Sequence, residues 1–386
     1  MKKGKKIILS IAAVLLVLVL AVAGYCAYIL LSYYRIEDNL VLSVDDGTNK
    51  IVSTGTAYKI STYNIGFGAY SQDYSFFMDS GYNPDGSVVT GKHGTAVSKD
   101  ECNFNTTGAI ATVTGLDVDF ALFQEVDIKS TRSYKINQYD LIKQAFDGYD
   151  TTFASNFHTA FLPYPLHDMH GKVNAGLATF SKYNVTNSVR KSFTVATDLS
   201  KLFDLDRCFS ANFVPVDNGK TLVIVNVHMS AYDKGGVIRQ VQKQELSNFL
   251  QEMQNQGHYV IVGGDYNHDL LAYNPSYSYT QSQFAYKDQI QQLRPDWLQQ
   301  FFDQDGNHGL PINYTVVASN NAPTCRDASM EWVPGFNFVS AVDGFIVSNN
   351  VQVNYVQTVV TKNGNKGIDG FAFSDHEPVL MEFVLN

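Results

Sequence analysis

The chain has 386 residues, of which 45% are hydrophobic, 13% aromatic and 17% charged. That is enough for one large domain or two small ones with a sizeable core, and low charge together with 23 Tyr and 25 Phe excludes intrinsic disorder. The formal net charge is −9, but Lys2, Lys3, Lys5, Lys6 and Arg35 supply +5 before residue 37, which leaves −14 for the remainder. A basic nucleic-acid-binding module is therefore not the default reading, although a bound divalent cation would invert the local charge logic.

Residues 1–6 form a basic stub, and residues 7–31 run without a charge, dominated by Ile, Leu, Val and Ala. Roughly 20 such residues cross the hydrocarbon core of a bilayer. A secretory signal has a shorter apolar region followed by small residues, whereas this one ends in Tyr28-Ile29-Leu30-Leu31-Ser32-Tyr33-Tyr34, suited to a membrane interface. The reading is a single-pass anchor in the cell membrane, with the lysines cytoplasmic and the rest outside; cleavage as a long signal peptide is the alternative. Residues 32–57 read as a stalk, and 58–386 as the catalytic domain. Strand-length apolar runs follow at Tyr58–Ile65, Asp119–Phe123, Ala175–Phe180, Leu222–Val227, Tyr259–Val262, Val342–Val347 and Val379–Val384. Helical patterns are expected over Tyr134–Phe146 and Val237–Met253, the second stopped by Gly257. Gly68–Asn105 reads as a functional loop or insertion. The alternation predicts a mixed α/β protein. Cys102, Cys208 and Cys325 show no C-x-x-C spacing and read as small buried hydrophobes, with one disulfide among them as the alternative.

Short polar clusters end these runs: Ser61-Thr62-Tyr63-Asn64, Phe123-Gln124-Glu125, Val225-Asn226-Val227-His228, Gly263-Gly264-Asp265-Tyr266-Asn267, Val342-Asp343-Gly344-Phe345 and Ser374-Asp375-His376-Glu377-Pro378. Singly, each has an ordinary explanation as a cap, turn or solvated strand end. Six at the ends of apolar runs instead suggest a site on a rigid scaffold.

In this order the clusters resemble the signature of the endonuclease/exonuclease/phosphatase superfamily, over about Tyr58 to Leu385. That superfamily includes pancreatic-type deoxyribonuclease, exonuclease III-like repair enzymes, bacterial sphingomyelinases and inositol-polyphosphate 5-phosphatases. The resemblance implies a four-layer α/β/β/α sandwich of two mixed sheets and a metal-dependent phosphoesterase. It places Asn64, Glu125 and Asp375 at the metal, Mg²⁺ or Mn²⁺, with Asp375 direct or through water. Gly66 stands where the repair branch often has an Asp, so the shell is closer to the deoxyribonuclease and sphingomyelinase branches. Asp265 matches the residue that orients or deprotonates the attacking water, and Asn267 a donor to the transition-state phosphoryl oxygen. His376 matches the essential histidine, as imidazolium or as general base, with Asp343 fixing its tautomer and raising its pKa. His228 matches a second histidine found in deoxyribonuclease and the sphingomyelinases; a satisfied core histidine is the alternative, and its carboxylate partner is not readable. Lys172, Asn174 and Arg326 are candidates for substrate phosphate, against a solvated loop. His268 and Asp269 read as local bonds, and His158, His167 and His170 as surface residues.

The substrate stays open between nucleic acid, for a surface nuclease, and a phospholipid or small phosphoester. For the lipid reading, the aromatic segment Gly68–Tyr82 could dip into an interface, or simply pack. A non-catalytic binding protein on the same fold would have lost a metal or base position, and none is lost. The bilayer, through residues 7–31, and a phosphoester are the expected partners; no protein partner is readable.

Overall fold

The apolar runs become strands buried on both faces, which is why they read as continuous hydrophobic stretches. The computed structural model describes residues 2–45, 47–83, 87–197, 201, 204–231, 236–271 and 309–386. Among the described residues, a six-stranded sheet runs in the order Val351–Thr358, Val379–Leu385, Ala57–Asn64, Phe120–Asp127, Asn174–Ser181, Asp150–His158. A seven-stranded sheet runs Leu40–Val41, Asn187–Ser192, Cys208–Pro215, Thr221–His228, Tyr259–Asp265, Asp343–Ser348, Tyr314–Val317. Each is mixed. Ala57–Asn64 lies parallel to Phe120–Asp127, Thr221–His228 parallel to Tyr259–Asp265, and the other pairs are antiparallel.

Four helices are described: α1 (Lys2–Ser32), α2 (Lys99–Thr114), α3 (Gln138–Ala145) and α4 (Val237–Asn255). The buried clusters define the layers. Ile60 and Leu122 of one sheet meet Ile224, Ile261 and Phe345 of the other between the sheets. On the outer faces, α4 packs Leu246, Leu250 and Met253 onto the seven-stranded sheet. Ala109 and Val113 of α2 and Ile142 of α3 cover the six-stranded one. Each Leu, Ile, Val, Met or Phe among them, fully buried, stabilises by about 1.5–3 kcal/mol. The architecture is the four-layer α/β/β/α sandwich. A buried polar link also ties the sheets: Gln124 Nε2 donates to Asn226 Oδ1 at 2.8 Å, and Asn226 Nδ2 donates to the Phe123 and Ala178 carbonyls.

α1 is long and apolar enough to cross a membrane and is exposed along most of its length. The segment read as a stalk lies along the domain instead: Arg35 pairs with Asp206 at 2.8 Å, Leu40–Val41 joins a sheet edge, and Val52 is fully buried. The helix expected over Tyr134–Phe146 begins only at Gln138. Tyr134 and Lys135 take left-handed φ values of 54° and 61°, and Asn137 caps the first turn through Asp140 N. α2 lies partly inside the segment expected to be a loop. Ala69, Tyr70, Tyr74 and Phe76 of the aromatic segment pack inward rather than meeting an interface. His170 is buried, not superficial. It hydrogen-bonds the Gly94 carbonyl and sits among Phe67, Phe76, Phe77 and Phe157. His158 is half-buried against Tyr34, and His167 is exposed. All four cysteines are free, with Cys102, Cys208 and Cys325 buried.

Candidate active site

Both parallel strand pairs end on the same side of the sandwich, where crevices at carboxyl ends of strands collect functional groups. Register places the polar residues. His228 is paired with Asp265 and Asp265 with Asp343, so three side chains stand abreast on adjacent strands. Gly264 makes this possible: at φ 155° its backbone runs so close to Val227 that a Cβ would lie 2.0 Å from the Val227 carbonyl oxygen. In the other sheet Asn64 ends its strand, and Glu125 sits in a bulge between Phe123 and Val126, at φ 54°, which re-aims its side chain. Ser374 Oγ donates to the Asn64 carbonyl (2.8 Å), and a bridge from Cys325, in a separate two-stranded sheet with Val339–Ser340, to His376 holds the other side of the Ser-Asp-His segment.

The side chains converge. His376 Nδ1–H donates to Asp343 Oδ2 at 2.8 Å, turning Nε2 toward Asp265 Oδ2 at 3.8 Å. Asp343 is held by two backbone bonds to Thr324 Oγ1, from its own N–H and that of Val342. Asp265 Oδ1 accepts the Asn267 N–H (2.9 Å), and Oδ2 accepts Asn64 Nδ2 (3.1 Å) and faces His228 Nε2 at 3.4 Å. Asp265 is therefore the carboxylate partner of His228. Asn267 spends one amide hydrogen on the Met229 carbonyl (2.9 Å) and keeps the other.

Burial and charge set the protonation states. Burial acts to lower the His376 pKa, but Asp343, Cys325 and Asp265 outweigh it and hold the imidazole well above 6.5, hence charged. Burial, then Arg207, His376 and Arg132, push His228 well below 6.5, hence neutral. Burial raises Asp265 to about 6; His376 opposes this and Asp343 adds to it. Burial also lifts Asp375 to about 7, with Glu125 and Asp79 repelling it and His376 and Arg326 opposing.

These states bear on where a cation fits. Asp265, Asp343 and His376 offer three ligand atoms within 4.8 Å of one another. His376 Nδ1 and Asp343 Oδ2 already satisfy each other, and the imidazolium already balances charge there. Glu125, Asp375 and Asp79 instead press negative charge together around buried Tyr70, and their hard oxygens suit Mg²⁺ or Mn²⁺. Asn64 turns Nδ2, not its oxygen, toward Glu125 Oε1 (3.3 Å), while Oδ1 accepts the Gly66 N–H (3.0 Å). As placed, it bridges the carboxylates, and it becomes an oxygen ligand only by turning its amide. The Gly66 departure has a steric cause: a Cβ there would lie 2.5 Å from the Tyr70 ring and 3.1 Å from Asp375 Oδ1.

These groups border a cavity of about 770 Å³. Arg326 lines it, buried and bonded through Nη2 to the Ser71 carbonyl, with Nε lacking a hydrogen-bond partner among the described residues. Lys172 and Asn174 do not enter it; they are exposed at the start of their strand. Two arginines that sequence reading passed over do line it. Arg132 pairs with Asp127 at 2.9 Å and lies 3.8 Å over the Phe67 ring. Arg207 is 2% exposed, with Nε and Nη1 unpartnered among the described residues. A buried guanidinium with open donors is costly unless an anion completes it. Nothing in the sequence separates Arg207 from any cation preceding a strand.

The sequence model of the Endonuclease/Exonuclease/phosphatase family matches residues 61–376, well over half of the chain. No curated protein matches it. Among solved structures the fold is similar to the human Nocturnin catalytic domain with bound sulfate anion (TM-score 0.51, 15% identity, 89% of this chain and 97% of that one). It is similar also to truncated TDP2 from Caenorhabditis elegans (0.50, 13%, 86% and 99%). A third is an endonuclease/exonuclease/phosphatase from Beutenbergia cavernae (0.50, 15%, 86% and 72%). At such identities the likeness establishes the fold alone.

Proposed function

We propose, from the premise that the chain belongs to the Endonuclease/Exonuclease/phosphatase family and is thus a metal-dependent phosphoric ester hydrolase, that it hydrolyses a phosphodiester by in-line attack of water. It does so outside the cell membrane in which α1 anchors it. The observation that carries this reading is the convergence of Asp343, His376, Asp265 and His228 at one end of the cavity. Asp265 orients the water and takes its proton. The charged His376, held by Asp343, stabilises the crowded phosphoryl oxygens, and the free amide N–H of Asn267 donates to the same oxygens, while neutral His228 gives its one N–H to Asp265 and steadies that carboxylate. Arg207 and Arg326 receive the substrate's negative charge. Glu125 and Asp375, with Asn64 beside them, would hold Mg²⁺ or Mn²⁺, which when bound neutralises developing negative charge.

The test uses bis(para-nitrophenyl) phosphate with Mg²⁺ or Mn²⁺ and an EDTA control. Asp265→Asn should lower kcat about 10²–10⁴-fold, with thermal stability near that of the parent, and EDTA should abolish turnover. Parental kcat in Asp265→Asn would remove that residue from the chemistry.

A further inference from the structure

We propose that α1 forms part of the wall of the catalytic cavity, and that the substrate is a phosphodiester lipid taken from the leaflet α1 crosses. This rests on the phosphoesterase reading and on α1 being retained as an anchor.

The first observation is that Tyr25, inside the apolar helix, lines the same cavity as His376 and Asp265. Its hydroxyl donates to the Phe161 carbonyl at 2.7 Å, and the Tyr28 hydroxyl accepts the Phe161 N–H at 3.2 Å. One backbone position of the domain is thus clamped to the helix by two bonds. Tyr25 lies seven residues before the helix end at Ser32, or about 10 Å along the axis. The uncharged run of 25 residues spans about 37 Å against a hydrocarbon core of about 30 Å, so with the spare length of about 7 Å on the outer side Tyr25 sits about 2 Å inside the edge of the acyl chains.

The second observation is the surface around that clamp. Phe161, Tyr164, Leu166 and Met169 are exposed, Tyr164 by 65% and Leu166 by 76%, within one short loop. Four large apolar side chains on one exposed loop suit a membrane interface, where Tyr and Leu gain by burial among head groups and upper acyl chains. This loop, not the aromatic segment 68–82, is the chain's interfacial element.

The third is the cavity itself. Leu162, Tyr164, Phe77 and Phe157 line the same cavity as Arg207 and the acid–base groups, with Tyr164 exposed and Phe157 and Arg207 buried. An exposed apolar side chain and buried cations in one cavity match a molecule with an anionic phosphate attached to a hydrocarbon body. A nucleic acid asks for cations along an open track, whereas Arg132, Arg207 and Arg326 are all buried in the cavity. In the reaction, water oxygen bonds to phosphorus and the P–O bond to the lipid alcohol breaks. The proton lost by the water is balanced by one gained by the departing alkoxide, leaving a lipid alcohol and a phosphorylated head group.

The experiment places the full-length chain in vesicles of phosphatidylcholine, phosphatidylglycerol and sphingomyelin, each with Mg²⁺ or Mn²⁺. It follows release of phosphorylated head group beside turnover of bis(para-nitrophenyl) phosphate. We expect head-group release from at least one composition, reduced roughly tenfold or more in Leu166→Asp/Met169→Asp, with the soluble ester turned over within about twofold of the parent. Retained soluble-ester turnover certifies the fold of that variant; if it is lost, Leu166→Ser replaces it. Turnover of the soluble ester with every vesicle untouched overturns the lipid assignment and leaves the phosphoesterase reading standing. So does cleavage of single-stranded DNA without lipid hydrolysis, undiminished lipid turnover in the rim variant, or a mature chain lacking Tyr25. Silence on the soluble ester, lipid and DNA alike sinks both readings.

Discussion

His376 and His170 are both buried beside the same cavity, and their surroundings drive them to opposite charge states. At the floor, Asp343 and Asp265 hold His376 charged against the cost of burial. In the aromatic wall, burial and then Arg132 push His170 down to about 3, with the Gly94 carbonyl and Asp168 acting the other way. The floor is made of carboxylates fixed by strand register and stores charge for chemistry; the wall is made of rings and one guanidinium and admits no further cation. A hydrocarbon body is compatible with the second and not the first, so on the lipid reading proposed above the two regions divide catalysis from substrate selection.

Acid should break the wall before the floor. His170, with its folded pKa near 3 and an unfolded value near 6.5, contributes stability that is fully present above pH 6.5 and lost as pH falls toward 3. His268, buried behind the floor and pushed to about 3 by burial and Arg239, adds in the same direction. Together they contribute a slope of up to about 2.7 kcal/mol per pH unit across that window, opposed by the buried carboxyls of Asp265, Asp375 and Glu377, whose values raised to about 6, 7 and 7 make protonation favour the folded state. Urea titrations from pH 7 to pH 4 of the parent and His170→Gln isolate the histidine: the two slopes should differ by up to about 1.4 kcal/mol per pH unit. An unchanged slope in that variant would mean that the wall accommodates a charged histidine.

The next expected effect is confined to the floor. Gly264→Ala places a methyl 2.0 Å from the Val227 oxygen on a left-handed backbone, so the strands carrying His228 and Asp265 must part. A stability loss of about 3 kcal/mol or more is expected by chemical denaturation, with turnover falling well beyond what the unfolded fraction explains. Parental turnover in the variant that remains folded would show that the abreast register of His228, Asp265 and Asp343 is not needed.

How far each region was legible in the sequence follows the same division. The floor residues end, begin or flank apolar strands, and a polar cluster beside an apolar run is visible in one dimension, so Asn64, Glu125, His228, Asp265, Asp343 and His376 could all be picked out and do come together. The wall arises from loops meeting across long separations. His170 packs on Phe67 and Phe76 from a hundred residues upstream, and nothing local distinguishes it from a surface histidine. α2 escaped because its buried face mixes Cys102, Asn105 and Thr106 with Ala109, Ile110 and Val113, which erases the apolar period. The usable signal was Ser98 three residues before Glu101, whose N–H does donate to Ser98 Oγ at 3.1 Å.

The smallest expected effect tests the border between the two regions. Arg207 stands immediately before the strand Cys208–Pro215, close enough to His228 to depress it, and lines the cavity with Nε and Nη1 buried and unpartnered among the described residues. Arg207→Met keeps much of the side-chain volume and removes the charge. If the guanidinium holds substrate phosphate equally in ground and transition states, KM for a phosphodiester rises about 10–100-fold with kcat little changed. If it stabilises only the transition state, kcat falls by that factor instead. Lys172→Ala is the control, because Lys172 is exposed outside the cavity and should leave both constants within about twofold. Equal, small effects from Arg207 and Lys172 would mean that the anion is received at Arg326 or by the metal ligands alone, and the cationic depth of the cavity would lose its role in choosing substrate.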